Sequence, residues 1–492
     1  MASLGSWSWA LRLSAEQVIP RVSVTPNVRI VVETVGLEEA SELFYSGFQW
    51  VPDHLRLSAA RRFGIRDENG ALLAAAAVEP ATDGIPYLWL FSVSAGVRRQ
   101  GLGRSLLRGI VETFGREGNI AIQLKTYGRW EGMRGLLQAD GWSLIGAEPS
   151  KRNDLVGEIW KYPLGQDPLG IVVVGANPAG RGGEWVKKIR QLDRIWKLEA
   201  VVDLDPAVRR GWQKEGLAAY PATSEVAADR NVRAVVIAVP PGFAVAEQVR
   251  CIERGWAVLV EKPFGKSLTE LASLQEILLR SPISFVPGVQ RRSHPSYVAM
   301  RTLLAAQQVE SLSIELTLGR PLSQLTSGHR ADVQQCRGGA LIDLGYHALD
   351  LAQFLLGSPL EMVSCSLSEM GDLRTSSGIE SAADLLGRAG KTWVRIHIDR
   401  HGGAKTEAVQ ARTKEGTWSA NRERVVDPSG AEVFACPGSW ALAESGRLCE
   451  LAVACRQPSP ETVDLWEHLA AFETIERAYG LAELQGLKGV TV

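Results

Sequence analysis

Three ionisable side chains in this sequence have the types and placement to move a proton: Lys262, Asp343 and His347. Asp343, His347 and Asp350 stand at i, i+4 and i+7, so on a helix they project from one face. Leu341, Leu344, Ala348, Leu351 and Leu355 fill much of the rest and can pack inward. Neutral imidazole suits removal of a proton from a hydroxyl as hydride leaves its carbon. His347 is then the general base, and Lys262 donates a hydrogen bond to the same oxygen and stabilises its developing negative charge. Asp343 positions substrate hydroxyls and orients the base, and in the reducing direction the roles run backwards. A lone histidine on an apolar helix is usually a satisfied core residue or a cap. With an aspartate one turn earlier and a lysine elsewhere in the chain, three titratable groups can meet across one cleft.

Such groups need elements that bring them together beside a hydride acceptor. Residues 257–260 read as a buried strand that runs into Glu261, Lys262, Pro263 and Phe264. That puts the lysine at the carboxyl end of a parallel strand, where ligands of doubly wound sheets bind. Upstream, the apolar run 171–174 leads to Gly175, Ala176, Asn177, Pro178, Ala179 and Gly180. This is the spacing of a dinucleotide-binding turn with asparagine in place of the middle glycine, and asparagine tolerates unusual backbone angles better than most residues. The next strand, 198–202, ends at Asp203, where a carboxylate can accept hydrogen bonds from the adenosine ribose and would repel a 2′-phosphate. NAD is therefore expected over NADP, although Arg209 and Arg210 stand nearby. A third strand, 234–239, runs into Pro240. The expected cofactor contacts are Gly175, Ala176, Asn177, Gly180, Asp203, Pro240, Glu261 and Lys262. Strand and helix alternate through this stretch, which implies a parallel doubly wound sheet. After about residue 290 longer strands such as 311–318 and 393–398 predict a mainly antiparallel sheet in a further α+β unit.

A second candidate site lies near the amino terminus. Strands are expected at 28–32, 72–78 and 88–93 and a helix at 38–48, a mixed α/β pattern. The strand 88–93 runs into Arg98, Arg99, Gly101, Leu102, Gly103 and Arg104, and then a helix with Leu106, Leu107, Ile110, Val111 and Phe114 on its apolar face. Strand, glycine turn and helix form an anion cradle. The backbone can approach a phosphate, helix-start N–H groups point at it, and three arginines add positive potential. Many short glycine turns merely reverse the chain.

Composition narrows the class. The 492 residues are too many for one core, and a net charge of -1, from 54 basic and 55 acidic side chains, gives no electrostatic reason to expect nucleic acid or an anionic membrane. A small molecule is the expected partner. No apolar run is long enough to span a bilayer, and residues 1–10 do not read as a secretory signal, so a cytoplasmic protein is expected. The six cysteines, Cys251, Cys336, Cys365, Cys436, Cys449 and Cys455, never form a Cys-x-x-Cys pair, and no metal site is expected. Cys336 lies beside the Asp343 segment, where an incidental thiol is the commoner reading than a catalytic one.

Two resemblances fit these patterns. Residues 97–107 resemble the acetyl-CoA pyrophosphate loop of GNAT-type N-acetyltransferases, with Arg98, Gly101 and Gly103 at its positions. Residues 136–142 resemble that family's last helix and the turn after it, through Gly141 and Trp142. The resemblance covers roughly 28–162 and implies acetyl-CoA held by Val93, Arg98, Arg99, Gly101, Leu102, Gly103 and Arg104. Many members carry a tyrosine general acid where this chain has Leu137, and the strand before the loop offers no evident glutamate base. Glu79, Asp83 and Tyr127 are the substitutes on offer, each more readily an ordinary surface or packing residue. The run Glu261, Lys262, Pro263 resembles the Glu-Lys-Pro motif of the Gfo/Idh/MocA oxidoreductases, whose lysine binds substrate near the nicotinamide. Residues 338–357 and 286–297 resemble further segments of that family, which implies the Lys262, Asp343 and His347 set and extends over about 168–480. One family feature, a histidine after a Thr-Pro-Asn run, is replaced by Ala238, Val239, Pro240, Pro241 and Gly242.

The expected organisation is a GNAT-like mixed α/β domain over 1–165, a Rossmann doubly wound domain over 166–290 after a linker near 162–168, and a C-terminal α+β domain over 291–492. The expected function is bifunctional: an NAD(P)-dependent oxidoreductase on a sugar-like or secondary metabolite, fused to an acetyl-CoA-dependent N-acetyltransferase, in a homo-oligomer. The alternatives are a non-catalytic cofactor-binding sensor and an acetyltransferase whose oxidoreductase half presents substrate.

Overall fold

The computed structural model describes residues 32–49, 52–80, 85–128, 130–149, 156–228, 230–321, 325, 338–368, 379–438, 440–457 and 465–484. Most of the expected strand 28–32, together with Asp83 and Cys336, lies outside them. The chain divides into two compact units, residues 1–80 with 88–111 and residues 81–87 with 112–492.

In the first unit, Leu37, Ala40, Leu43 and Phe44 recur at helical spacing, and the helix Leu37–Phe48 buries that stripe. It packs with Leu57 and Ala60 on Ala75, Ala77 and Leu90 of the strands Leu72–Glu79 and Tyr87–Val93. The strand Arg61–Arg66 pairs antiparallel with Leu72–Glu79, with Phe63 opposite Ala76. The run of alanines at 74–77 lets the helix approach the sheet closely.

The second unit begins with the antiparallel strands Ala121–Tyr127, Ser143–Pro149 and Val156–Pro163 and the helix Glu131–Ala139. These pack on later parts of the same unit. Ser143 Oγ donates to the Ser445 carbonyl at 2.9 Å, Thr302 Oγ1 to the Ala147 carbonyl at 2.8 Å, and the Arg134 guanidinium to the Ala435 carbonyl at 2.8 Å. Next comes a six-stranded parallel sheet in the order Ala219–Tyr220, Trp196–Val202, Leu169–Val174, Val232–Ile237, Ala257–Glu261, Phe285–Gly288. Its central strands are β-branched, aliphatic and buried on both faces, as a sheet covered by helices requires. The order reverses beside Leu169–Val174, which places a crevice at the carboxyl ends of that strand and its neighbours.

Among the described residues the last sheet has eight strands. All its described pairings are antiparallel except Val309–Thr317 with Thr392–Asp399, which is parallel. Alternate residues of its middle strands are buried, so one face is core and the other solvent. The fold is the expected one: mixed α/β, then a doubly wound parallel sheet, then a mainly antiparallel α+β part. No helix among the described residues is long and apolar enough to cross a membrane.

Candidate active site

The glycine turn begins where the strand Leu169–Val174 ends. Gly175 has φ +77, and a Cβ there would lie 2.4 Å from the Ala238 carbonyl oxygen, so both backbone angle and space demand glycine. Asn177 does not take up a left-handed angle. Its Oδ1 accepts from the Ala179 amide at 3.0 Å, while its carbonyl accepts from Gly180 at 2.9 Å and Gly183 at 3.1 Å. Asparagine thus closes the turn with its side chain, and the backbone tolerance expected of it is not used. Gly180 only caps the helix Arg181–Gln191, where a Cβ would meet nothing nearer than 3.6 Å. Close packing falls instead to Gly182 and Gly183, whose added Cβ atoms would come within 1.9 Å of the Gly175 carbonyl oxygen and 2.6 Å of Pro178 Cα. Gly182→Ala is therefore expected to cost about 1–3 kcal/mol of stability, and Gly180→Ala well under that. Denaturant midpoints of the two variants check the order.

Asp203 follows the strand Trp196–Val202, and its carboxylate accepts from the Asp205 amide at 2.9 Å. Burial raises its pKa, against the Asp205 and Ala176 amides and Arg209. The Ala176 contact puts this acid beside the glycine turn. Arg209 turns to the carbonyls of Asp203 and Leu204, at 2.7 and 2.8 Å. Pro240 caps the helix Pro241–Glu253 after the third strand.

Glu261 ends the strand Ala257–Glu261 and is a hub. One of its oxygens accepts from Arg181 at 2.8 Å, Trp185 at 2.8 Å and Gln290 at 2.8 Å. Arg181 also pairs with Glu444 at 2.9 Å and with Glu184. The Glu-Lys-Pro segment is thereby tied to the first turn of the glycine-loop helix. The Lys262–Pro263 peptide is cis.

Lys262 Nζ donates to the Asp343 carbonyl at 2.6 Å and to its carboxylate at 3.2 Å. Arg320 bonds the other carboxylate oxygen and Arg400 lies 3.6 Å from it. Burial alone would raise the Asp343 carboxyl, but Lys262, Arg320 and Arg400 hold it well below the usual range. Burial lowers the Lys262 ammonium, and Asp343 and Glu261 oppose that shift. His347 is pushed well below the ordinary imidazole value, first by burial and then by Arg291, Lys262, Arg422 and Arg181. The ring is neutral at physiological pH, and its buried Nδ1 has no hydrogen-bond partner among the described residues.

The shared α-helical face expected for Asp343, His347 and Asp350 is corrected by the structure. Asp343 sits in a π-helical turn, Leu341–Gly345, ahead of the α-helix Tyr346–Leu356 that carries the other two. Asp350 takes no part in the Lys262 cluster. It pairs with Arg292 at 2.7 Å and His468 at 3.2 Å, which hold its carboxyl at about 2 against the effect of burial.

Several groups had no sequence signal. Glu380, fully buried, accepts from the Gly339 and Leu341 amides at 3.0 and 2.9 Å and from Tyr479 at 2.9 Å, so it anchors the turn that leads to Asp343. Glu407 accepts from Arg291 at 2.8 Å, Arg422 at 2.7 Å and Tyr297 at 2.7 Å. Arg320 and Arg400 likewise lacked any motif.

The residues present fit a dinucleotide. They supply a glycine cradle that a Cβ would fill, an acid at the end of the second strand, and a neutral imidazole whose Nδ1 is unpartnered among the described residues, with a lysine at the carboxyl end of a strand.

In the first unit, Arg99 and Gly101 have positive φ, of 63° and 88°, in the turn before the helix Leu102–Arg116. Arg98 Nε donates to the Val93 carbonyl at 3.0 Å, and a Cβ on Gly103 would lie 3.4 Å from Val93. The predicted loop residues thus gather at one strand-to-helix junction, whose first helical turn can direct N–H groups at an anion. Glu79 is ion-paired with Arg56 at 2.5 Å. In the second unit Tyr127 stacks edge-on with Trp130 at 5.6 Å, and Leu137 is fully buried. The five described cysteines are buried free thiols.

Family models match three stretches of the chain. Residues 33–135 match the Acetyltransferase (GNAT) family, residues 169–283 the oxidoreductase family with an NAD-binding Rossmann fold, and residues 297–416 the GFO/IDH/MocA C-terminal domain. Residues of this chain are 32% identical to dTDP-3,4-didehydro-2,6-dideoxy-alpha-D-glucose 3-reductase of Streptomyces violaceoruber, over 27% of this chain and 39% of that protein. They are 26% identical to D-xylose 1-dehydrogenase (NADP(+)) 2 of Haloferax volcanii, over 54% of this chain and 82% of that protein. The first alignment thus spans well under half the relative's length. Among solved structures, GenD2 from gentamicin A biosynthesis, in complex with NAD, superposes with a TM-score of 0.55 at 22% identity over 65% of this chain and 95% of that one, which shows a common fold. The chain is a fusion of a GNAT-family segment with a Gfo/Idh/MocA-family oxidoreductase segment.

Proposed function

We propose that residues 166–492 transfer hydride between a nicotinamide cofactor, NAD rather than NADP, and a hydroxyl, carbonyl or imine of a sugar-like or secondary metabolite. The supporting observation is the cluster at the carboxyl ends of the parallel strands. There Lys262 is fixed on Asp343, and a neutral His347, its Nδ1 unpartnered among the described residues, stands in the field of that lysine. Bound NAD supplies the hydride acceptor. His347 takes the hydroxyl proton, Lys262 stabilises the oxygen as charge grows on it, and Asp343 orients the lysine and substrate hydroxyls. Gly175, Ala176, Asn177, Gly180, Asp203 and Pro240 line the cofactor side, and Glu261 acts by holding Arg181 and Gln290. Calorimetric titration of the full-length protein with NADH tests the reading, and absence of binding would sink it. Asp203→Ala is expected to weaken NADH by about 10–100-fold through loss of charged hydrogen bonds, and to tighten NADPH by removing the charge that repels its 2′-phosphate.

Residues 1–165 are proposed to bind acetyl-CoA through Val93, Arg98, Arg99, Gly101, Leu102, Gly103 and Arg104 and to acetylate an amine. A binding-only role for this part has its own support, because Leu137 is buried and apolar where the general acid tyrosine of many relatives stands. The functional division is then 1–165, 166–290 and 291–492. The partner is a hydroxylated or amine-bearing small molecule. Homo-oligomers are proposed to form through the solvent face of the last sheet, where Leu386 and Trp393 are exposed on neighbouring strands.

A further inference from the structure

No side-chain bond at Nδ1 fixes the His347 ring among the described residues, so its place depends on the helix that carries it. That helix, Tyr346–Leu356, is held through His468 of the helix Leu465–Leu484. His468 Nδ1 lies 3.2 Å from the Tyr346 hydroxyl and 3.2 Å from a carboxylate oxygen of Asp350. Those two residues stand one helical turn apart, and His347 lies between them in the chain. Burial lowers the His468 imidazole from its ordinary value in spite of Asp350, so the ring is neutral and carries one N–H. With the proton on Nδ1 it donates to Asp350, and with the proton on Nε2 it accepts from Tyr346. Either tautomer ties down the turn that bears His347.

The same ring reaches the segment that carries Lys262. Phe264, two residues after the lysine, packs edge-on against His468, with centroids 5.3 Å apart, and against Tyr346, at 5.9 Å. Tyr346 and His468 lie 6.5 Å apart with their planes at 16°. Phe264, Tyr346 and His468 thus form a closed triangle of buried rings, and Phe285 of the neighbouring strand packs on Phe264 at 6.0 Å. Close-packed rings cannot shift without opening a void, so the triangle holds one corner near Lys262 and another beside His347 at a set spacing. Farther along the same helix, Tyr479 bonds Glu380, which holds the Gly339 and Leu341 amides ahead of Asp343. One helix therefore braces both the Asp343 turn and the His347 turn.

We propose that His468 is a positioning residue for hydride transfer: with Tyr346 and Phe264 it fixes the turn of His347 against the strand end of Lys262. This rests on the oxidoreductase reading above. Base and lysine must meet the same hydroxyl, and a misplacement of about 1 Å can lower the rate about 10²-fold. Other residues bind cofactor and substrate, so the loss falls on kcat rather than on KM or NADH affinity.

The test compares two variants of the full-length protein. His468→Phe keeps an aromatic ring and loses both bonds, whereas His468→Asn places an amide where the imidazole Nδ1 stood. Arg292 stays on Asp350 in both, so neither leaves that buried charge unpaired. For an alcohol that the wild type oxidises, His468→Phe is expected to lower kcat about ten-fold, with KM and the calorimetric NADH dissociation constant within about two-fold. His468→Asn is expected to stay within about three-fold of wild type in all three. Hydrogen exchange adds a readout without turnover: amides of residues 341–356 should exchange faster in His468→Phe, and those of 169–174 at the wild-type rate. Unchanged kcat or unchanged exchange in His468→Phe, or parallel losses of kcat, KM and NADH affinity in both variants, overturns the inference alone. Failure of the wild-type protein to bind NADH overturns the oxidoreductase reading and this inference with it.

Discussion

Lys262→Met is expected to lower kcat about 10²–10³-fold for any alcohol the wild-type protein oxidises, with NADH affinity within a few-fold of wild type. Methionine keeps the length and apolar stem of the lysine but cannot donate a hydrogen bond. Asp343 would still be held by Arg320 and Arg400, so the π-helical turn keeps two of its three cationic anchors. What disappears is the ammonium that faces the developing alkoxide, a contribution on the order of 3–4 kcal/mol for one oriented donor in a site that excludes water. Nicotinamide absorbance gives the rate and calorimetry the affinity. Equal collapse of both would mark Lys262 as a structural residue.

The second large effect is expected at His347. His347→Gln should reduce kcat/KM about 10²–10⁴-fold, the range for loss of a positioned general base. The pH profile carries a sharper signature. Burial and four cations push the imidazole well below its ordinary value, so it remains neutral, and able to accept a proton, below pH 6.5. The acid limb of the wild-type kcat/KM profile should therefore lie below the ordinary imidazole range, with activity lost only as pH falls through the depressed value. In His347→Gln that limb should vanish. A wild-type limb centred at an ordinary imidazole value would contradict the placement of this ring in a buried cationic field.

The sequence revealed the parts of this site that follow from local pattern. Short β-branched runs ending in glycine or in Glu261 and Lys262 gave the parallel strands and their carboxyl ends, because a strand buried on both faces is apolar throughout. Asp343 and His347 stood out because they lie four residues apart in one motif. Their partners were not legible. Glu407, Arg320, Arg400 and Glu380 reach the site from strands and loops whose sequence carries only alternating burial, and only tertiary packing aims their side chains inward. The wider turn at Leu341–Gly345 was hidden for a related reason, since the run 338–357 is equally compatible with an uninterrupted α-helix. At the glycine turn, counting glycines selected Gly180, whereas the close approach of helix to strand needs Gly182 and Gly183, which lie beyond the motif's frame.

The most direct test is a crystal structure of the full-length protein with NAD bound. The pyrophosphate is expected on the turn from Gly175 to Gly180, the adenosine ribose at Asp203, and the nicotinamide C4 between Lys262 and His347, with room for a reacting carbon at about 3–3.5 Å. A nicotinamide ring bound elsewhere, with Lys262 and His347 both out of reach of C4, would contradict the proposed hydride transfer.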